Sequence, residues 1–172
     1  MQRIGKWCVG MAVVALATSI GAGQQRTEQP LDNDFLAKIA ACNHAEVEIG
    51  KLAATRASSE KVKDFAQNLV KEHQKVHERV ADLMKNRKIA MLTGLDKDGQ
   101  AQVQKLTKLE GKEFDRTFLN DAITEHRTAI TLFENQIKNG KDKDISTFAQ
   151  ETLPALQNHM KRAEELAKTA DK

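Results

Sequence analysis

A chain of 172 residues fits a single domain. Charged residues make up 30 %, there are two Pro and no Tyr, and the formal net charge is +3. That composition suits an all-helical protein with a thin aliphatic core and gives β-strands little to work with. No basic patch or aromatic stacking platform is present, so nucleic-acid binding has no support.

The first 23 residues differ from everything after them. Arg3 and Lys6 give a positive start, residues 7–20 are nearly all apolar or small, and residues 19–23 offer small side chains for cleavage. This predicts a secretory signal peptide over 1–23. The apolar run is about 14 residues, short of the ~20 needed to span a bilayer, so no transmembrane span is expected after cleavage. Cys8 lies at the very start of the apolar run, too early to follow a cleaved signal, which argues against a lipid anchor. Cleavage removes two positive charges and no negative ones, lowering the balance from +3 to +1. It also leaves Cys42 as the only cysteine, so an internal disulfide is not expected. Cys42 is expected to be a small buried residue on a helix.

Residues 24–31 read as a polar tether containing Pro30, with the folded domain predicted over 32–168. Asp32 or Asn33 is the expected N-cap of a first helix running to about residue 57. Its apolar face carries Phe35, Leu36, Ile39, Cys42, Glu46, Ile49 and Ala53. Ser58 or Ser59 is expected to cap a second helix, residues 59–88, after almost no loop, which makes the two antiparallel neighbours. Along this second helix Val62, Phe65, Ala66, Leu69, Val70, Val76, Val80, Leu83 and Met84 recur at helical spacing. His73 interrupts that stripe, four after Leu69 and three before Val76, so its ring should point inward; His77 follows one turn later, nearer the edge.

The pattern then fails around Gly94. Asp96 or Asp98 is a plausible cap for a short helix over about 100–109, ending at Gly111. A third long helix from about 112 carries Phe114, Phe118, Leu119, Ala122, Ile123, His126, Ile130, Phe133 and Ile137, and stops at Asn139-Gly140. Asp142 or Asp144 is expected to cap the fourth, with Ile145, Phe148, Ala149, Leu153, Leu156, His159 or Met160, Ala163 and Leu166 inward. Pro154 should kink it.

An internal repeat supports this reading. A shift of 83 residues places Phe35-Leu36 on Phe118-Leu119, Val62 on Ile145, Phe65-Ala66-Gln67 on Phe148-Ala149-Gln150, and Leu83 on Leu166. One offset serves both helices of each hairpin, which points to duplication. Two hairpins joined by a long crossover form a ferritin-like four-helix bundle with a short extra helix.

The blocks AEVEIGKLA, VKDFAQNLVKEH, LTGLD, GKEFDRTFLNDAITEH and FAQETLPALQNH, in that order, resemble the bacterial exported proteins carrying domain of unknown function 4142 (DUF4142). These are often described as outer-membrane proteins with a ferritin-like bundle. The resemblance covers about residues 35–166 and implies the fold and an envelope location, periplasmic or outer-membrane-associated, without an activity. His77 departs from the pattern, which leads one to expect a small polar residue there.

Each long helix places one ionisable residue on its apolar stripe: Glu46, His73, His126 and His159. All lie within about a turn of their helix midpoints, so they can converge in the bundle core. Three imidazoles and a carboxylate are a reasonable set for Zn, Cu or Fe, with His77 and Met160 as possible neighbours. The first reading of these residues is nevertheless a hydrogen-bonded polar layer, Glu46 accepting from one or two histidines, that fixes helix register. His73 and His77, four apart, can also chelate an ion on one helix face. A ferritin-type di-metal site is not supported, because Glu-x-x-His is absent and the 83-residue shift sets Glu46 on Ala129 and His73 on Leu156. No nucleophile–base pair, Gly-rich phosphate loop or Ser-centred elbow stands out. The expectation is thus a non-catalytic envelope or stress-related binding protein acting on an unidentified protein or envelope partner. The alternative is a bundle that holds a transition metal at Glu46, His73, His126 and His159.

Overall fold

Five helices account for the stripes. In the computed structural model, which describes residues 30–91 and 94–170, they are α1 (Pro30–Arg56), α2 (Glu60–Asn86), α3 (Lys97–Thr107), α4 (Gly111–Asn139) and α5 (Lys143–Ala170). The expected signal peptide and residues 24–29 of the expected tether lie outside the described residues. Helix α1 begins at Pro30, two residues ahead of the predicted domain start. Proline suits a first helical turn, whose N–H has no intrahelical acceptor anyway.

Hairpins α1–α2 and α4–α5 are the intimate pairs, and the crossover helix α3 lies mainly on α1. Gly50 lets the first hairpin close: a Cβ there would meet Val70 Cγ2 at 2.7 Å, and a β-branched side chain has little freedom to move aside. Short α3 is capped by Asp96, whose side chain accepts from Gly99 N at 2.8 Å. Gly111 opens α4, with φ of +57°, rather than closing α3 as the sequence suggested. Helix α5 passes through Pro154 without interruption. Pro154 is exposed, so the carbonyl it leaves without a donor can turn to water.

Two aromatic-rich cores fill opposite ends of the bundle. One gathers Phe65, Phe114 and Phe118 with Ala53, Val62 and Leu119. The other gathers Phe35, Phe133 and Phe148 with Val80, Met84 and Ile145. Phe35 meets the edges of Phe133 and Phe148 at centroid distances of 5.0 and 6.3 Å, so the start of α1 lies beside the α4–α5 turn.

The two hairpin turns are closed in matching ways, and here the expected caps are corrected. Asp32 is not the N-cap of α1; it sits inside the first turn and reaches across the bundle. Its carboxylate accepts from Lys141 N (3.2 Å), Asp142 N (3.3 Å) and the Gln136 amide, closing the α4–α5 turn. Asp115, 83 residues later, does the same at the other end. It accepts from Ser58 N (2.8 Å), Ser58 Oγ (2.7 Å) and Ser59 N (2.9 Å). Ser59 occupies the N-cap position of α2 but makes no side-chain cap bond of its own. Each hairpin thus closes the turn of the other, while Asp142 caps α5 through Ile145 N at 3.2 Å.

Candidate metal centre

Between the two cores lies a polar layer. Leu69 and Val76 flank His73 on α2, and Ala122 and Ala129 flank His126 on α4, with one member of each pair in each core. His73, His126 and His159 are all buried. Their ring centroids form a nearly equilateral triangle with sides of 5.5, 5.4 and 5.3 Å. One ring nitrogen from each lies within 4.8 Å of the others. Glu46 joins them from α1, 3.5 Å from His73 Nε2 and 3.4 Å from His126 Nδ1. Of the four residues singled out on the stripes, the three histidines converge on one point, whereas Glu46 lies beside two of them and outside that group.

The outer hydrogen bonds fix which nitrogen faces inward. The carbonyl of Ala122 can only accept, so His126 Nδ1, 2.9 Å away, carries the proton and Nε2 presents a lone pair. The Glu72 carboxylate accepts from His159 Nε2 at 2.8 Å, which leaves the lone pair of neutral His159 on Nδ1. Asn43 donates through Nδ2 to the carbonyl of His73 at 2.8 Å, so its Oδ1 accepts from His73 Nδ1 at 2.9 Å. His73 Nε2 is then a buried lone pair without a hydrogen-bond partner.

Each imidazole thus has one nitrogen committed outward and the other free at a common centre. His126 Nε2 and His159 Nδ1 face each other at 3.2 Å. Two lone pairs at that distance repel unless a proton is shared between them, as a hydrogen bond, or a metal cation lies beside both. Two nitrogens bound to one tetrahedral ion at 2.0–2.1 Å would stand about 3.3 Å apart, close to what is seen. An outer acceptor on the second ring nitrogen is the usual support of a metal-bound histidine. A cavity of about 30 Å³ borders His73, His126, Glu46 and Asn43 but not His159, so it lies beside the triad and has room for about one water. A groove of about 280 Å³ between α2 and α5 reaches His73 and His159 from solvent, with Glu72 on its wall.

Electrostatics keep the imidazoles neutral. Burial holds His73 well below the usual imidazole range, and its neighbours His126 and His159 add to the effect. Burial also lowers His126 to about 4, against the bond to Ala122. His159 is lowered by burial and by His126, with Glu72 opposing. Glu46 is pushed by burial up to about 8. At neutral pH the layer is three neutral imidazoles beside a protonated carboxyl group.

These shifts give the metal-free protein a definite pH dependence. His126 contributes stability above its ordinary value of 6.5 and loses it as pH falls toward 4. Glu46 contributes below its ordinary 4.5 and loses it as pH rises through 8. Between pH 6.5 and 8 the carboxyl dominates, and Glu46 alone should remove about 2 kcal/mol. Glu125, raised to about 8 by burial and then by Glu46 and Asp121, slopes the same way. Urea unfolding of metal-free protein at pH 6.5 and 8 should show this loss, and the variant Glu46→Gln/Glu125→Gln should show none, its stability rising slightly as the unfolded chain sheds its histidine protons. A flat wild-type response would mean that Glu46 is ionised in the fold.

Three expectations change. Cys42 is exposed, and Asn43 takes the inward place on α1. The sulfur still lies against neighbouring atoms, so partial burial and then Glu125, Glu46 and Asp96 push the thiol up, which makes it a poor soft ligand. His77 does not chelate with His73, whose nitrogens are turned to Asn43 and to the centre; it faces His44 on α1, with ring centroids 5.9 Å apart. Met160 is half-buried and leaves the helix about 100° round from His159. Asn43 and Glu72 were not anticipated. Asn43 lies four after Ile39 and three before Glu46, the spacing that marks His73, and was readable. Glu72 is an exposed residue on a charged face, and only the packing of α5 gives it a role.

A family profile described as a domain of unknown function, DUF4142, matches residues 17–166. The chain belongs to the DUF4142 family. A comparison with curated protein sequences finds no match. Among solved structures, the DUF4142 chain is similar to CopM in its Cu(I)-bound form, at 14 % identity and a TM-score of 0.69, over 80 % of this chain and 96 % of that one. A DUF305 protein from Streptomyces coelicolor aligns at 13 % identity and a TM-score of 0.71, over 82 % and 92 %. The conserved protein rv2844 from Mycobacterium tuberculosis aligns at 15 % identity and 0.61, over 81 % and 99 %. At such identities the likeness is one of fold. Among the described residues, no helix is long and apolar enough to cross a membrane.

Proposed function

We propose that this DUF4142 protein is an exported, non-catalytic bundle that holds one transition-metal ion, copper or zinc, at His73, His126 and His159 with Glu46 beside them. The observation that carries this reading is the inward convergence of three imidazole lone pairs, each fixed by an acceptor on the opposite nitrogen. A purely structural polar layer would bond its own members closely, whereas here His73 Nε2 makes no close hydrogen bond and has only the Glu46 carboxyl at 3.5 Å, and two imidazole nitrogens face each other at 3.2 Å. Imidazole donors suit copper and zinc, and neutral ligands are what such an ion requires. CopM, similar in fold, has been seen with Cu(I), Cu(II) and Ag bound, so copper is the first ion to test. Export rests on the leader-like residues 1–23; a soluble envelope location follows from its removal.

The test is elemental analysis of untagged protein purified from its native compartment, followed by titration of the metal-free protein with Cu(I) and Zn(II) against a competing chelator. One tightly held equivalent is expected, with a rise in melting temperature on loading. Protein that carries no metal and takes up none tightly would leave the layer as a device for helix register.

A further inference from the structure

The five histidines of the chain divide three and two. His73, His126 and His159 form the buried layer, and His44 and His77 meet elsewhere, on the α1–α2 face. We infer that His44 and His77 form a second, solvent-accessible cation site for a divalent transition ion, separate from the buried centre. This inference stands on its own geometry and does not need the buried site to bind metal.

The two residues come from different helices, so hairpin packing, not side-chain reach along one helix, sets their separation. Their ring centroids are 5.9 Å apart with planes tilted by 53°. Two imidazoles bound to one ion at 2.0–2.1 Å place their centroids about 5–6 Å apart, so the spacing of the two rings matches that of a pair sharing one ion. The tilt matters too, because a parallel stack would point the ring nitrogens past each other. Both residues are half-buried, which limits their rotamers and still leaves coordination positions open to water. His77 is not diverted inward, since His73 one turn earlier fills that place. Neutral imidazoles select borderline ions such as Zn(II), Ni(II) or Cu(II) over Ca(II) or Mg(II), which prefer oxygen.

The buried triad and the outer pair can be told apart directly. Titrating untagged, metal-free mature protein with Zn(II) by calorimetry should reveal a weaker equivalent besides any tight one. His44→Ala and His77→Ala should each abolish the weaker equivalent and leave the tight one. His126→Leu should do the reverse. Retention of the untagged chain on immobilised Ni(II) should follow the same pattern, lost in His44→Ala and His77→Ala and kept in His126→Leu. The proposal is overturned if His77→Ala binds Zn(II) and Ni(II) as the wild type does, or if wild type and His126→Leu both lack the weaker equivalent. Either result would make the two rings a packing contact only.

Discussion

His126→Leu should lose the tightly bound ion and leave the apo bundle as stable as before, or more so. His126 is the hinge of the layer, being 3.2 Å from His159, 3.4 Å from Glu46 and edge-on to His73. Removing an outer acceptor of a metal-bound histidine typically weakens affinity by about 10–100-fold, and removing the ligand itself should exceed that range. Asn43→Ala, which frees the His73 ring without removing it, should fall within the range. In the apo protein the balance runs the other way. Three desolvated imidazoles with opposed lone pairs are a poor core, and replacing buried polar clusters by apolar residues of similar volume is often neutral or stabilising by about 1–4 kcal/mol. Paired measurements of chelator-competed affinity and apo unfolding decide the matter. A layer built only for stability would show the opposite signature, with apo protein strongly destabilised and no affinity to lose. The double replacement His73→Leu with Glu46→Leu makes the same distinction from the α1–α2 side.

Much of this was legible because helical periodicity is a local property. The stripes placed Glu46, His73, His126 and His159 inward, and rough helix midpoints were enough to bring them to one level. The shared offset of 83 residues gave the two hairpins and their long crossover. What the stripes could not give is register between helices at the level of single atoms. Cys42 and Asn43 both border the α1 stripe about 100° apart, and only contact with His73 on α2 selects the asparagine. Glu72 and the His44–His77 pair depend likewise on how α5 and α1 seat against α2. The roles of Asp32 and Asp115 were within reach, since the same offset superimposes them, as it superimposes Ser58 and Ser59 on Lys141 and Asp142. An acidic residue near a helix start reads first as a local cap, and that habit hid a long-range one.

Asp115→Ala should be the most damaging substitution remote from the metal centre. The side chain is 2 % exposed and accepts three short hydrogen bonds, two of them from backbone N–H groups of the α1–α2 turn. Bonds to a charged acceptor are worth about 1.5–3 kcal/mol each, and buried donors left unmade carry their full desolvation cost. Because the three share one carboxylate they do not simply add, and a loss of about 4 kcal/mol is expected. That is a large share of the ~5–15 kcal/mol that holds a domain together, and melting should fall by about 10 °C or more. Asp32→Ala removes the matching cap at the other end, where the backbone bonds are longer at 3.2–3.3 Å, so its loss should be smaller, about 2 kcal/mol. The two sites lie at opposite ends of helices roughly 40 Å long, so their effects should add to within about 0.5 kcal/mol. Below the melting transition both variants should still bind one tight equivalent of metal, because the layer at mid-bundle is held by other contacts. If Asp115→Ala unfolds no more easily than wild type, the reciprocal capping of the two hairpins does not hold the bundle ends together, and the cores alone do.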